Sequence, residues 1–154
     1  MESLVINEFL SQNILLFYCR YVDDCCLIVR KRCKNRILEK MNEFDSFLKF
    51  TCTEMLDNEL IYLDTLIVNK NDKLEIAQFR KTSIHSTNMM NYKQAVAPLQ
   101  YKNSCLNGEI YRAKNCTSND ANLEKALDNI ETIFRNNQYP FPNGTPSQKR
   151  LLSL

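Results

Sequence analysis

Apolar residues occupy nearly every position from Ile14 to Val22 and again from Cys25 to Arg30, on either side of Asp23-Asp24. Near-continuous runs of strand formers are typical of strands covered on both faces, so this stretch predicts a hairpin packed on both sides. Ahead of it, Ser3 to Leu10 fits a short helix with Leu4, Val5, Phe9 and Leu10 towards one side. The period lengthens from Cys33 to Leu48, where Ile37, Met41, Phe44 and Leu48 recur at helical spacing and Leu38 and Phe47 widen the stripe. That pattern predicts an amphipathic helix lying on the sheet. Strand character returns at Phe50 to Met55, then after a turn at Asp57-Asn58 from Leu60 to Val68, and after Asn69-Lys70-Asn71-Asp72 from Lys73 to Arg80.

Beyond Lys81 the pattern is irregular until about Pro98. A helix is expected from Pro98 to Arg112, with Gly108 as its weak point. Thr117-Ser118-Asn119-Asp120 then offers capping residues, and Leu123, Leu127, Ile130 and Phe134 follow at helical spacing. This last helix should stop near Asn137, because Pro140 cannot continue it. The predicted class is α+β: antiparallel strands with one packed amphipathic helix over residues 1–91, a helical region over 92–139, and a loose Pro/Gly-marked tail over 140–154.

The net charge of +2 is close to balance and argues only weakly for a polyanionic partner. Basic residues do cluster, at Arg30-Lys31-Arg32, Lys34 and Arg36, Arg80-Lys81 and Lys149-Arg150, although such clusters are most often solvated faces. Seven cysteines contain no C-x-x-C pair and His85 stands alone, which disfavours an ordinary zinc site. An odd number of cysteines, several inside apolar strands, fits buried reduced thiols in an intracellular protein of nucleus or cytoplasm rather than a secreted one. No stretch approaches the roughly 18 apolar residues of a membrane span, and no secretory h-region opens the chain.

The candidate chemistry lies at Asp23-Asp24. A hairpin that merely reverses the chain prefers Asn-Gly or Asp-Gly, and two adjacent carboxylates beside apolar strands are poorly solvated unless something compensates them. A hard divalent cation does so: Mg2+, with Mn2+ as a substitute, usually takes one or two protein carboxylates together with phosphate oxygens. The plainer reading is that Asp is a common turn former.

Tyr21-Val22-Asp23-Asp24 between apolar strands resembles the catalytic hairpin of reverse transcriptases, and the downstream segments are similar to the Penelope-like branch. Arg20 precedes the tetrapeptide as in that family. Phe50-Thr51-Cys52-Thr53-Glu54 resembles its Phe-Thr-x-Glu strand with one extra residue, and Tyr62-Leu63-Asp64 its Phe-Leu-Asp strand. Phe79-Arg80-Lys81-Thr82 resembles a Tyr-Arg-Lys-Pro-Thr segment without the proline. Glu109-Ile110-Tyr111-Arg112-Ala113 and Asn137-Gln138-Tyr139-Pro140 resemble helix ends beyond the palm, so the likeness runs from about Leu15 to Pro140.

The resemblance implies a partial polymerase palm followed by thumb-like helices. It implies that Asp23 and Asp24 are metal-binding catalytic carboxylates for two-metal nucleotidyl transfer, and that Tyr21 and Val22 lie against primer and template. Arg80 and Lys81 would meet backbone phosphates on a primer-grip-like hairpin. Its partners would be an RNA template, a DNA primer and deoxynucleotides. The family places a further metal-binding aspartate far upstream; here residues 1–22 contain none, so the chain is expected not to polymerise alone. A second reading makes residues 98–137 a helix-turn-helix-like nucleic-acid-binding pair in a non-catalytic remnant. Glu124, Asp128 and Glu131 argue against laying the last helix on phosphates, and packing on the palm is the plainer role for it.

Overall fold

The computed structural model describes residues 2–43, 46–81 and 90–141. The class is α+β, with every strand pair antiparallel. The chain divides into two compact units, residues 1–54 and 55–154.

The first unit runs α1 (Glu2–Ser11), β1 (Leu15–Tyr21), β2 (Asp24–Val29), a 3-10 turn (Lys31–Cys33) and α2 (Lys34–Glu43). β1 and β2 form a hairpin whose register runs from Leu15 opposite Val29 to Tyr21 opposite Asp24, with an irregularity between Leu15 and Phe17. Its core joins Ile6 and Phe9 of α1, Leu15, and Ile37 and Met41 of α2, flanked by Tyr18, Leu27 and Val29. Because strand side chains alternate, Tyr18 and Leu27 share the core face while Phe17 and Ile28 share the other, and Leu16, Phe17 and Ile28 are exposed. The hairpin within this unit is thus covered on one face rather than two. In α1 the inward residues are Ile6 and Phe9, whereas Leu10 is exposed; the side chains of Leu4 and Val5 lie outside the described set.

The helix expected over Cys33–Leu48 is shorter, ending at Glu43, with Ile37 and Met41 buried as the stripe requires and Phe47 and Leu48 exposed; Phe44 lies outside the described residues. Phe50 to Met55 forms no strand. The Asn42 amide takes both backbone groups of Phe50, accepting from its N–H at 2.7 Å and donating to its carbonyl at 3.2 Å, which removes the ladder bonds a strand would need there.

The second unit begins with a bridge between Leu56 and Glu59, then β3 (Glu59–Tyr62), β4 (Thr65–Lys70) and β5 (Lys73–Gln78) as an antiparallel meander. The single strand expected from Leu60 to Val68 is therefore two, reversed at Leu63-Asp64. Asp57-Asn58 and Asn71-Asp72 both carry positive φ at each turn residue, the I′ signature their side chains tolerate well.

Helices α3 (Leu99–Asn115) and α4 (Asp120–Asn136) follow. Gly108 does not interrupt α3, and α3 extends three residues past the expected Arg112. The Asn119 side chain caps α4 by accepting from the Asn122 N–H at 2.8 Å. α4 ends at Asn136, with Asn137 as cap and Gln138 at φ 64, a left-handed residue just beyond the helix. Leu106, Ile110 and Ala113 of α3 meet Ala126, Leu127, Ile130 and Phe134 of α4, closed by Tyr139. Leu127, Ile130 and Phe134 are fully buried, as the stripe on α4 predicts. The α3–α4 connection docks on β5: Ser118 N–H donates to the Ile76 carbonyl at 3.0 Å, Ile76 N–H to Ser118 Oγ at 2.8 Å, and the Asn122 amide to the same carbonyl at 3.1 Å. Residues 142–154, His85 and Lys149-Arg150 lie outside the described residues.

Candidate functional site: a strained hairpin tip and a helix pair

Tyr21 pairs with Asp24, so Val22 and Asp23 are the two residues of the turn. Val22 has φ 53 while Asp23 does not reach positive φ, which is the II′ pattern, normally met by glycine at its first position. For a β-branched residue this is a true outlier, costing on the order of 1–3 kcal/mol. Two interactions hold it. The ladder closes at Tyr21–Asp24, and Arg20 Nε donates to the Val22 carbonyl at 2.7 Å. The arginine ahead of the tetrapeptide thus has a local reason: its guanidinium fixes the turn.

Tyr21, Val22, Asp23 and Asp24 therefore come together on one tip, and all four are exposed. Both carboxylates are open to water, so the expectation of poorly solvated charge does not hold in this unit; the anomaly is in the backbone instead. Tyr21 and Asp24, directly opposed, share one face of the hairpin. Behind the tip Cys19 sits opposite Cys26, and burial together with the Cys19 thiol pushes Cys26 up from the ordinary thiol range. Tyr18 Oη and Cys25 Sγ are 3.6 Å apart. All seven cysteines are free, but only Cys26 is buried and Cys52 is exposed, so the thiols are less enclosed than expected.

As a cation site, the tip offers two carboxylates on a backbone fixed by its ladder. That donor set fits Mg2+, which completes its shell with water and phosphate. Among the described residues no three His, Cys, Asp or Glu side chains converge, so the tip supplies part of a coordination shell only.

Arg80 and Lys81 belong to the second unit. Arg80 is tied to Glu109 of α3, and both side chains are largely covered. Burial and the neighbouring Arg112 push its guanidinium down from the usual arginine range, while Asp64 acts the other way. This pairing competes with the phosphate contact expected of Arg80, whereas Lys81 is exposed. Asp64 itself sits on a second turn of the same build, Tyr62-Leu63-Asp64-Thr65, with φ 53 at Leu63, and its carboxylate pairs with Arg112 at 3.0 Å. Sequence reasoning assigned Asp64, Glu109 and Arg112 no role. Asp64 and Arg80 stand far along the chain from Glu109 and Arg112 of α3, and no spacing signals that the fold unites them.

On the helix pair, charge is divided. Glu109 is the sole acid of α3 and is engaged by Arg80, whereas Gln100, Asn103, Asn107, Tyr111, Arg112 and Lys114 are exposed. α4 exposes Asp120, Glu124 and Asp128 beside the cation Lys125; Glu131 is buried and pairs with the exposed Arg135 at 2.7 Å. No helix among the described residues is long and apolar enough to cross a membrane.

Fold and site together define an α+β chain that presents a strained acidic hairpin and a helix–turn–helix pair. Residues 93–142, which contain that pair, match the family model of the animal helix-turn-helix domain. No curated protein and no solved structure matches the chain.

Proposed function

We propose that the chain is a nucleic-acid-binding segment of a Penelope-like reverse transcriptase, comprising part of the palm and the helices beyond it. The observation that carries this reading is the turn at Val22. A β-branched residue held at positive φ by its own strand ladder and by Arg20, at the tip that bears Asp23-Asp24, is strain placed where chemistry needs fixed carboxylates. In this reading Asp23 and Asp24 hold Mg2+, or Mn2+ in its place. When bound, the metal supplies Lewis-acid stabilisation of the phosphate oxygens in nucleotidyl transfer. The chain's own contribution is to fix those carboxylates and to set Tyr21 and Val22 against primer and template. In this reading the tip supplies two of the metal's carboxylates, and among the described residues no third converges on them.

The alternative is a non-catalytic nucleic-acid-binding remnant built on the helix pair, and the helix-turn-helix match at 93–142 favours binding in either case. In this reading a polyanion lies against α3, supported by the exposed amides and the cations Arg112 and Lys114 on that helix, rather than against α4, where Asp120, Glu124 and Asp128 are exposed.

The two readings separate on metal. Titration of the full chain with Mn2+, followed by electron paramagnetic resonance, should show binding that falls several-fold in Asp23→Asn and again in Asp24→Asn. Equal Mn2+ affinity in wild type and Asp23→Asn would remove the catalytic reading and leave the remnant.

A further inference from the structure

We propose that Arg112 is a ligand for a nucleic-acid backbone phosphate and that Asp64 occupies it as an internal competitor until nucleic acid displaces the carboxylate. The proposal rests on the nucleic-acid reading above and adds a regulation to it.

Asp64 is held in place. The turn at Leu63-Asp64 has positive φ on a leucine, and Phe79 N–H donates to the Asp64 carbonyl at 2.8 Å, so the backbone that carries the carboxylate is fixed. From there it meets Arg112 at 3.0 Å, and both side chains are about half exposed, at 56% and 51%. An ion pair this open to water is weakly held. A guanidinium also recognises phosphate in a bidentate, charge-assisted way, so a phosphodiester oxygen competes well for it.

Arg80 lies close enough for Arg112 and Asp64 both to act on it electrostatically. Arg80 is committed to Glu109 in a largely covered pair, leaving Arg112 as the arginine with an exposed and exchangeable counter-ion. Two guanidiniums, Arg80 and Arg112, are thus met by two carboxylates, Glu109 and Asp64. Removing Asp64 from Arg112 therefore uncovers a locally positive surface beside α3.

The test uses the full chain and a fluorescein-labelled RNA–DNA hybrid duplex, read by fluorescence anisotropy across a salt series. Asp64→Asn should bind several-fold tighter than wild type, Arg112→Gln weaker, and the double variant no tighter than Arg112→Gln. The salt dependence of Arg112→Gln should lose about one phosphate contact's worth of slope, about 0.9 in log–log terms. Asp72→Asn, on the exposed turn at the other end of β4 and β5, makes the same change in net charge and should give no comparable gain. Asp64→Asn binding no tighter than wild type, or a matching gain in Asp72→Asn, overturns the proposal. If wild type and Asp64→Asn alike fail to bind the duplex at low salt, the nucleic-acid reading fails, and the Arg112 assignment with it.

Discussion

At the scale of single residues, Val22 and Leu63 are two departures from ordinary backbone chemistry. Each takes φ 53 in a two-residue turn where glycine would be unstrained, and each is followed by an aspartate. Val22 is exposed, so replacing it removes little packing. Val22→Gly should relieve strain of on the order of 1–3 kcal/mol and give back about 0.5–1 kcal/mol in unfolded-state entropy. The expected result is a net gain of about 1 kcal/mol in urea unfolding; a loss of stability would mean that the turn is not strained. These two turns also mark the limit of what the residues reveal. Asn71-Asp72 and Asp57-Asn58 announce themselves, because their side chains tolerate left-handed backbone. Leu63 announces the opposite, so Leu60–Val68 reads as one strand. The Tyr-Val-Asp-Asp tip was visible as a motif, but not its dependence on Arg20.

At the scale of elements, α4 was the most legible because cap, period and terminator agree: Asn119 opens it, Leu127, Ile130 and Phe134 fill one side, and Asn137 closes it ahead of Pro140. Asn119→Ala should leave the Asn122 N–H without its cap and lower stability by about 1 kcal/mol in thermal or urea unfolding, with the helical content of the folded state unchanged. Gly108 misled for a simple reason. A glycine weakens a helix in isolation, but Leu106, Ile110 and Ala113 around it are buried against α4, and packing outweighs a cost of about 1 kcal/mol. Phe50, where the expected strand begins, gives its backbone groups to Asn42 on a different element instead of to a ladder. A pairing of that kind leaves no periodic trace. The hairpin of the first unit looked two-sided because Phe17, Ile28 and Leu16 are apolar, yet within this unit only the side bearing Tyr18 and Leu27 is packed.

At the scale of the whole molecule, each unit has its own apolar cluster, and the cluster of the second carries a titratable reporter. Burial, with Cys105 and Tyr92 beside it, pushes the Tyr139 hydroxyl up to about 12, against about 10 when unfolded. Because the folded-state value is the higher one, the folded state favours neutral Tyr139. Its contribution is complete below about pH 10 and is lost as pH climbs towards about 12. Unfolding free energy should therefore fall over that alkaline window, and Tyr139→Phe should flatten the fall; an identical slope in the variant would place the cause elsewhere. Ser118 and Asn122 have a different kind of consequence. β5 is an edge strand of its sheet, and a bare edge strand invites a stranger's backbone to continue the ladder. By engaging both the N–H and the carbonyl of Ile76, Ser118 of the inter-helix loop and Asn122 of α4 occupy the middle of that edge with the chain's own atoms. The same few hydrogen bonds that seat the helix pair also keep a foreign strand from pairing with β5 at Ile76.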